Sequence, residues 1–228
     1  MKNYLIAFFL LIGTTPLFSQ YGINASYETL GAADWEGLFR QSDVVGAIPI
    51  SSGLSIGVDR WFRLKPVRIE FFPELNYARY QSEWASNAGT LQHQKISLYA
   101  NTNFYLLDFM GDCDCPTFSK DGGIFKKGFF VQVSPGISYA LFDFESNDFN
   151  RSSNAIVPSV GLGLGVDIGL SDFITLTPMV KFRQHFGVEW ENLREILDME
   201  LATVSSDTES SGVETWSFGL RVGVRFNQ

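Results

Sequence analysis

The stretch Ile156-Val157-Pro158-Ser159-Val160-Gly161-Leu162-Gly163-Leu164-Gly165-Val166-Asp167-Ile168-Gly169-Leu170 decides the fold. Ile156, Pro158, Val160, Leu162, Leu164, Val166, Ile168 and Leu170 share one parity, whereas Ser159, Gly161, Gly163, Gly165, Asp167 and Gly169 fall on the other. Period two is the signature of a strand whose two faces meet different surroundings. The glycines alternate with aliphatics and no helix pattern follows them, so this is not a phosphate-binding loop. Small residues on that face leave room for neighbouring side chains.

The same pattern returns at the end of the chain. Trp216, Phe218, Leu220, Val222, Val224 and Phe226 alternate with Ser217, Gly219, Arg221, Gly223, Arg225 and Asn227. Alternation also marks strands near 21–28, 54–62, 67–81, 92–109, 129–144 and 173–189, eight in all. A soluble sandwich and a membrane barrel both show such alternation. Length separates them, because several of these strands exceed the mean soluble strand of about 5–6 residues and approach the roughly 9–11 needed to cross a bilayer.

The connections alternate in size. Short turns lie at 62–67 and 170–173, and long polar links at 29–53, 82–91, 146–154 and 190–212, an outer-membrane arrangement with both termini at the periplasmic end. The link 111–127 departs from it, being long on the periplasmic side. Aromatics fall at strand ends: Tyr21, Phe62, Phe104, Phe109, Phe129, Phe173 and Phe226 at one level, and Tyr27, Tyr77, Trp84, Tyr139, Phe182, Trp190 and Trp216 at the other. Two aromatic girdles around an aliphatic band are expected of a membrane barrel.

Composition narrows the classes. The chain has 228 residues, a net charge of -8 and 15% aromatics, which argues against nucleic acid binding and against disorder. Residues 1–19, with Lys2, an apolar run from Tyr4 to Ile12 and Ser19 before Gln20, read as a secretory signal peptide, leaving 20–228 as the barrel domain.

Three strands carry a common unit, Phe71-Phe72-Pro73-Glu74-Leu75-Asn76-Tyr77, Val133-Ser134-Pro135-Gly136-Ile137-Ser138-Tyr139 and Leu176-Thr177-Pro178-Met179-Val180-Lys181-Phe182. Each proline should mark a bulge or one lost ladder bond. In these units the chain resembles the PorT-like outer-membrane β-barrel proteins. The closing Arg221, Gly223 and Phe226 are similar to the signal read by the barrel-assembly machinery, with Gln228 in place of the usual final aromatic. The resemblance implies an outer-membrane barrel and, from the family's namesake, an accessory role in a type IX-like secretion apparatus. It implies no catalytic residues.

If the polar parity faces inward, the lumen holds Asp59, Arg68, Glu70, Glu74, Lys95, Asp167, Lys181, Arg183, Arg221 and Arg225. Eight strands enclose a space that side chains fill, and buried charges must pair, so these residues read as a structural network and not as an open pore. A gated small-ion path is the alternative.

Cys113 and Cys115, in Gly111-Asp112-Cys113-Asp114-Cys115-Pro116, are a candidate local disulfide; with Asp112 and Asp114 they could take a soft metal, but no nearby His completes a zinc set. His93 and His185 fall on lumen parity, and Gln184-His185-Phe186-Gly187-Val188-Glu189 offers no serine partner for a lipid-acting enzyme. Trp190, Leu193, Ile196, Leu197 and Leu201 recur at helical spacing and predict a short amphipathic helix over the mouth.

The expectation is an eight-stranded antiparallel up-and-down transmembrane β-barrel with a filled polar lumen, without cofactor or metal. Its partners are outer-membrane lipid, the assembly machinery during insertion, and a protein at the outer loops (Trp35, Leu38, Phe39 and 190–201) or at the 111–127 link. The rival readings are a secretion accessory factor, a lipid-acting barrel enzyme and a soluble ligand-binding barrel.

Overall fold

Period-two alternation builds eight long strands. The computed structural model describes residues 20–41, 52–64, 67–84, 89–108, 127–146, 150–171, 173–191, 193 and 210–225. The strands are β1 (Gln20–Gly31), β2 (Ser52–Arg63), β3 (Ile69–Trp84), β4 (Gly89–Phe104), β5 (Phe129–Ser146), β6 (Asn150–Val166), β7 (Ile174–Glu189) and β8 (Ser210–Arg225). A two-residue strand, Ile168–Gly169, continues β6 beyond a break at Asp167. Helix α1 (Ala33–Gln41) follows β1.

Sequential neighbours pair antiparallel, β1 pairs with β8, and the sheet closes on itself. β6 and β7 meet across seven residue pairs, from Ser159↔His185 to Gly165↔Met179, and Ile168–Gly169 adds a short pairing with β7. The result is a closed, eight-stranded, up-and-down antiparallel barrel.

The prolines interrupt ladders without shifting them. β2 and β3 pair as far as Asp59↔Glu74, skip Phe72 and Pro73, and resume at Phe62↔Phe71 in the same register. β4 and β5 likewise skip from Tyr99↔Gly136 to Thr102↔Val133 past Pro135. The β6–β7 ladder stops at Met179, one residue before Pro178. In all three the proline still pairs on its other side, opposite Ala100, Val160 and Leu220. Of the two expected outcomes the lost ladder bond is the one found, because an N–H can be missing on one side without inserting a residue. A register shift occurs instead between His185 and Val188 in the β7–β8 ladder, where Gly187 adopts φ 59°.

Short turns close one end. Leu64 N–H donates to Ile69 O at 3.1 Å, and Ser171 Oγ accepts from the N–H groups of Phe173 and Ile174 at 3.2 and 3.1 Å.

Three boundaries differ from the sequence reading. β4 stops at Phe104 and Tyr105 begins a turn closed by Asp108 N–H on Tyr105 O, so the strand expected to 109 is shorter. The links expected over 82–91 and 146–154 are mostly strand, since β3 reaches Trp84, β4 starts at Gly89, β5 reaches Ser146 and β6 starts at Asn150. The first link holds α1, with Asp34 and Glu36 in its first turn.

The shortened links have one cause: the alternation changes phase toward the loop end. On β5, Ile137 and Tyr139 face outward and Ser134 and Ser138 inward, but farther up Asp143 and Glu145 share the outward parity while Ala140, Phe142 and Phe144 are buried inside. β3 changes from Leu75 and Tyr77 to Arg79 and Gln81, and β4 from Leu98 and Ile96 to Gln94 and Gln92. Below the change, the wall is greasy outside and polar inside; above it, the order is reversed. Backbone pairing is indifferent to which face is apolar, so the ladder runs through the change.

Candidate functional site

The lumen below the phase change is a layered charge network. At the turn end Arg68 donates to Asp108 and lies 4.0 Å from Glu70, with its guanidinium 4.0 Å from the Tyr105 ring centroid. Glu70 accepts from Trp61 Nε1 at 2.7 Å and contacts the Tyr105 hydroxyl at 3.0 Å, and the same hydroxyl bonds Asp167. A phenol has one proton, so one of these two contacts requires a proton on the carboxyl side. Asp167 also accepts from Thr177 at 2.5 Å, and Arg221 grips Asp59 through two bonds.

The middle layer centres on Glu74, which accepts from Asn101 at 2.5 Å, Asn76 at 3.1 Å and Lys181 at 3.5 Å. Arg183 lies 3.3 Å over the Tyr99 ring and donates to Ser134 at 2.9 Å. Lys95 donates to His185 Nε2 at 3.2 Å and stands 3.8 Å from Glu28, which accepts from Tyr80. Lumen-facing glycines make room for these groups: a Cβ on Gly57 would lie 2.6 Å from Glu74 Oε1, and one on Gly163 would press on Lys181.

Above this layer the lumen is closed by rings. Tyr80, His93 and Phe142 are direct cross-strand partners on β3, β4 and β5, and their rings stack with Trp190: centroids are 5.2, 4.3 and 5.1 Å apart in succession. Trp35 of α1 meets Phe142 and Trp190 edge-on at 5.7 and 5.4 Å. Leu91, Val157, Val188, Leu193 and Val213 complete the cluster. His93 Nδ1–H donates to Leu141 O at 3.1 Å, which fixes its tautomer.

Of the ten residues expected in the lumen, Asp59, Arg68, Glu70, Glu74, Lys95, Arg183 and Arg221 are buried there, and Asp167 and Lys181 are partly buried. The Arg225 side chain lies outside the described residues, as do Cys113, Cys115 and the side chains of Leu38, Phe39 and Trp84. Of the 111–127 link only Lys127 is described, and of the helix expected over 190–201 only Trp190, Glu191 and Leu193. His93 and His185 sit inside the barrel.

Trp190 is a correction. Expected in the outer girdle, it is 1% exposed and crowns the ring stack, because its segment folds inward and Glu191 N–H bonds Ser153 Oγ. Glu28, Tyr80, Tyr99 and Tyr105 join the network without having been singled out in the sequence. Glu28 had a signal, since it shares the parity of Asn24. The aromatic cap had one too, in the phase change at Tyr139-Ala140-Leu141-Phe142-Asp143-Phe144-Glu145.

No family model and no curated protein matches the sequence. Among solved structures, the chain is similar to Neisserial surface protein A at 12% identity, covering 91% of this chain and 97% of that one, with a TM-score of 0.49. It is similar to Ail, the attachment invasion locus protein of Yersinia pestis, at 11% identity, 92% and 98% coverage and a TM-score of 0.46. A major outer membrane protein from Thermus thermophilus aligns at 10% identity, 91% and 99% coverage and a TM-score of 0.47.

Proposed function

We propose that the protein is exported by its 1–19 leader and stands in the bacterial outer membrane as a barrel with a structural or interaction role, without a catalytic centre, its specific contacts made by the outer loops. The observation that carries this is the exposed apolar belt. Ile23, Leu54, Ile56, Val58, Leu75, Leu98, Leu162, Leu164, Phe218 and Leu220 face out around the whole barrel, while charged side chains are buried behind them. In water this arrangement is inverted; in hydrocarbon it is the stable one. Tyr27, Tyr77, Tyr139 and Trp216 stand at the upper edge of the belt and Tyr21, Phe62 and Phe173 at the lower.

Above the upper edge, polar residues on the outward parity of β3 to β6 lift a wall into the aqueous space. A lumen crossed by ion pairs and capped by stacked rings is a poor route for hydrated solutes, which supports a non-porin role. His93 and His185 face the lumen, away from lipid, which supports a non-enzymatic one. The assignment to the PorT-like barrels, with its link to type IX-like secretion, draws on the three proline units.

The test is fractionation followed by a gel of unheated and boiled samples. Outer-membrane recovery with a faster unheated band that shifts on boiling is the expected result. A freely soluble protein without the shift would overturn the proposal.

A further inference from the structure

Arg183 carries a buried charge without a counter-charge. Its guanidinium lies over the Tyr99 ring and donates through Nη2 to Ser134, but it forms no ion pair with a carboxylate of the described residues, and Nη1 has no hydrogen-bond partner among them. Arginine stays protonated in proteins, so it cannot shed this charge as a lysine can. An uncompensated buried charge is among the costliest features a fold can hold.

The neighbours do not balance it. Arg183 lines a cavity of about 20 Å³ in the middle of the lumen together with Lys95 and Lys181, against two carboxylates, Glu28 and Glu74. Each carboxylate already stands beside a lysine, Glu28 at 3.8 Å from Lys95 and Glu74 at 3.5 Å from Lys181, so the guanidinium is left over. Asp59 and Asp167 line a separate cavity nearer the turn end, which Arg183 does not line.

The ladder places hydroxyls beside the cations. Arg183 and Lys181 stand two positions apart on β7, and their direct partners on β8 are Thr215 and Ser217. All four line the cavity. Thr215 is 1% exposed, and its hydroxyl, like Arg183 Nη1, has no partner among the described residues. The two orphaned donors therefore belong to one directly paired couple on neighbouring strands. Asn76 Oδ1, which is also orphaned and on the same cavity, is an acceptor and takes no part in the site.

We infer that the middle cavity binds one monatomic anion, a halide such as chloride, which accepts from Arg183 Nη1 and Thr215 Oγ1 and supplies the missing counter-charge. Lys181 and Ser217 complete the donor set. The cavity is of the order that holds one small particle, roughly 10–15 Å³ being enough for a water molecule, and it excludes phosphate, sulfate and organic acids. Water satisfies the same donors but leaves the charge uncompensated, and this separates the two occupants. No open path is required, because the ion is enclosed as the strands close around it during folding.

The site depends on the closed barrel and not on the role proposed for it. The full chain is refolded from urea into detergent in sodium bromide, crystallised, and measured at the bromine absorption edge. The expected result is an anomalous peak inside the barrel between Arg183 and Thr215. In solution, urea unfolding is compared in sodium chloride and in sodium gluconate of equal ionic strength, gluconate being too large for the cavity. Chloride at a hundred times its dissociation constant lowers the unfolding equilibrium constant about a hundredfold. Thr215→Val, which removes the hydroxyl at nearly constant shape, should lose most of this chloride effect, whereas Thr215→Ser should keep it. A heat-shifting barrel with no bromide inside it, or with the same chloride effect in Thr215→Val as in the parent, would overturn the anion site and leave the barrel standing. Parent samples that fail the heat shift would count against the barrel, and the site with it.

Discussion

Arg221 and Asp59, 162 positions apart in the chain, hold each other through hydrogen bonds of 2.8 and 2.6 Å across the inner face of β1. The strand between them contributes Gly22, whose register partners are Asp59 on β2 and Gly223 on β8. The pair therefore ties the last strand to the second over the seam where the two ends of the chain meet.

Removing one partner of this pair should be costly. Arg221→Met leaves the Asp59 carboxylate buried and unpaired, and about 3–5 kcal/mol of stability should be lost. Urea unfolding in detergent, followed by the heat-shifted band, measures it. Adding Asp59→Leu to Arg221→Met should restore most of the loss, because the desolvation penalty then disappears from both sides. A double variant as unstable as the single one would show that the pair is not what holds this seam.

Gly22 should tolerate no side chain. A Cβ there would run into the Arg221 guanidinium and the Asp59 carboxylate. Gly22→Ala is expected to cost about 1–3 kcal/mol, the usual range for overpacking, and Gly31→Ala, whose Cβ would meet nothing within 4 Å, far less. Comparing their unfolding midpoints tests the difference.

The ring stack should hold the cap and not the barrel. Phe142 touches His93, Trp190 and Trp35, so Phe142→Ala removes the centre of the stack, a change worth about 3–5 kcal/mol in a packed core. The expected outcome is protease cleavage in the 33–41 helix or near Trp190 on intact cells, with the barrel still heat-shifting. Unchanged protease resistance would place the cap's stability elsewhere.

The phase change predicts where charge is tolerated. Leu162 faces out near the middle of the belt, and Leu162→Arg should cost about 2–4 kcal/mol and lower the assembled fraction. Asn154 lies on the same face of β6 but above the belt, so Asn154→Arg should stay within about 0.5 kcal/mol of the parent. Equal effects at the two positions would mean that lipid does not bound the belt where Ile156 and Tyr139 suggest.

By itself the sequence determined the strands and their faces. The parity of Ile156 to Val166, or of Trp216 to Val224, is a local property of an extended backbone, and it states which side chains share a surface before any partner strand is known. Eight such segments, joined by short turns at 62–67 and 170–173 and by long links elsewhere, pointed to an up-and-down barrel, and the inward placement of Asp59, Glu74, Lys95, Arg183 and Arg221 followed from the same parity. The tertiary structure decided which of these groups meet. Arg221 reaches Asp59, Lys95 lies between Glu28 and His185, and Tyr80, His93, Phe142 and Trp190 stack, because register and closure set heights around the ring that no single strand contains. It also decided where the outer wall ends. Hydrogen-bonded pairing continues past the point where the apolar face turns inward, so strand length there is set by the neighbouring backbone and not by the hydrophobic pattern.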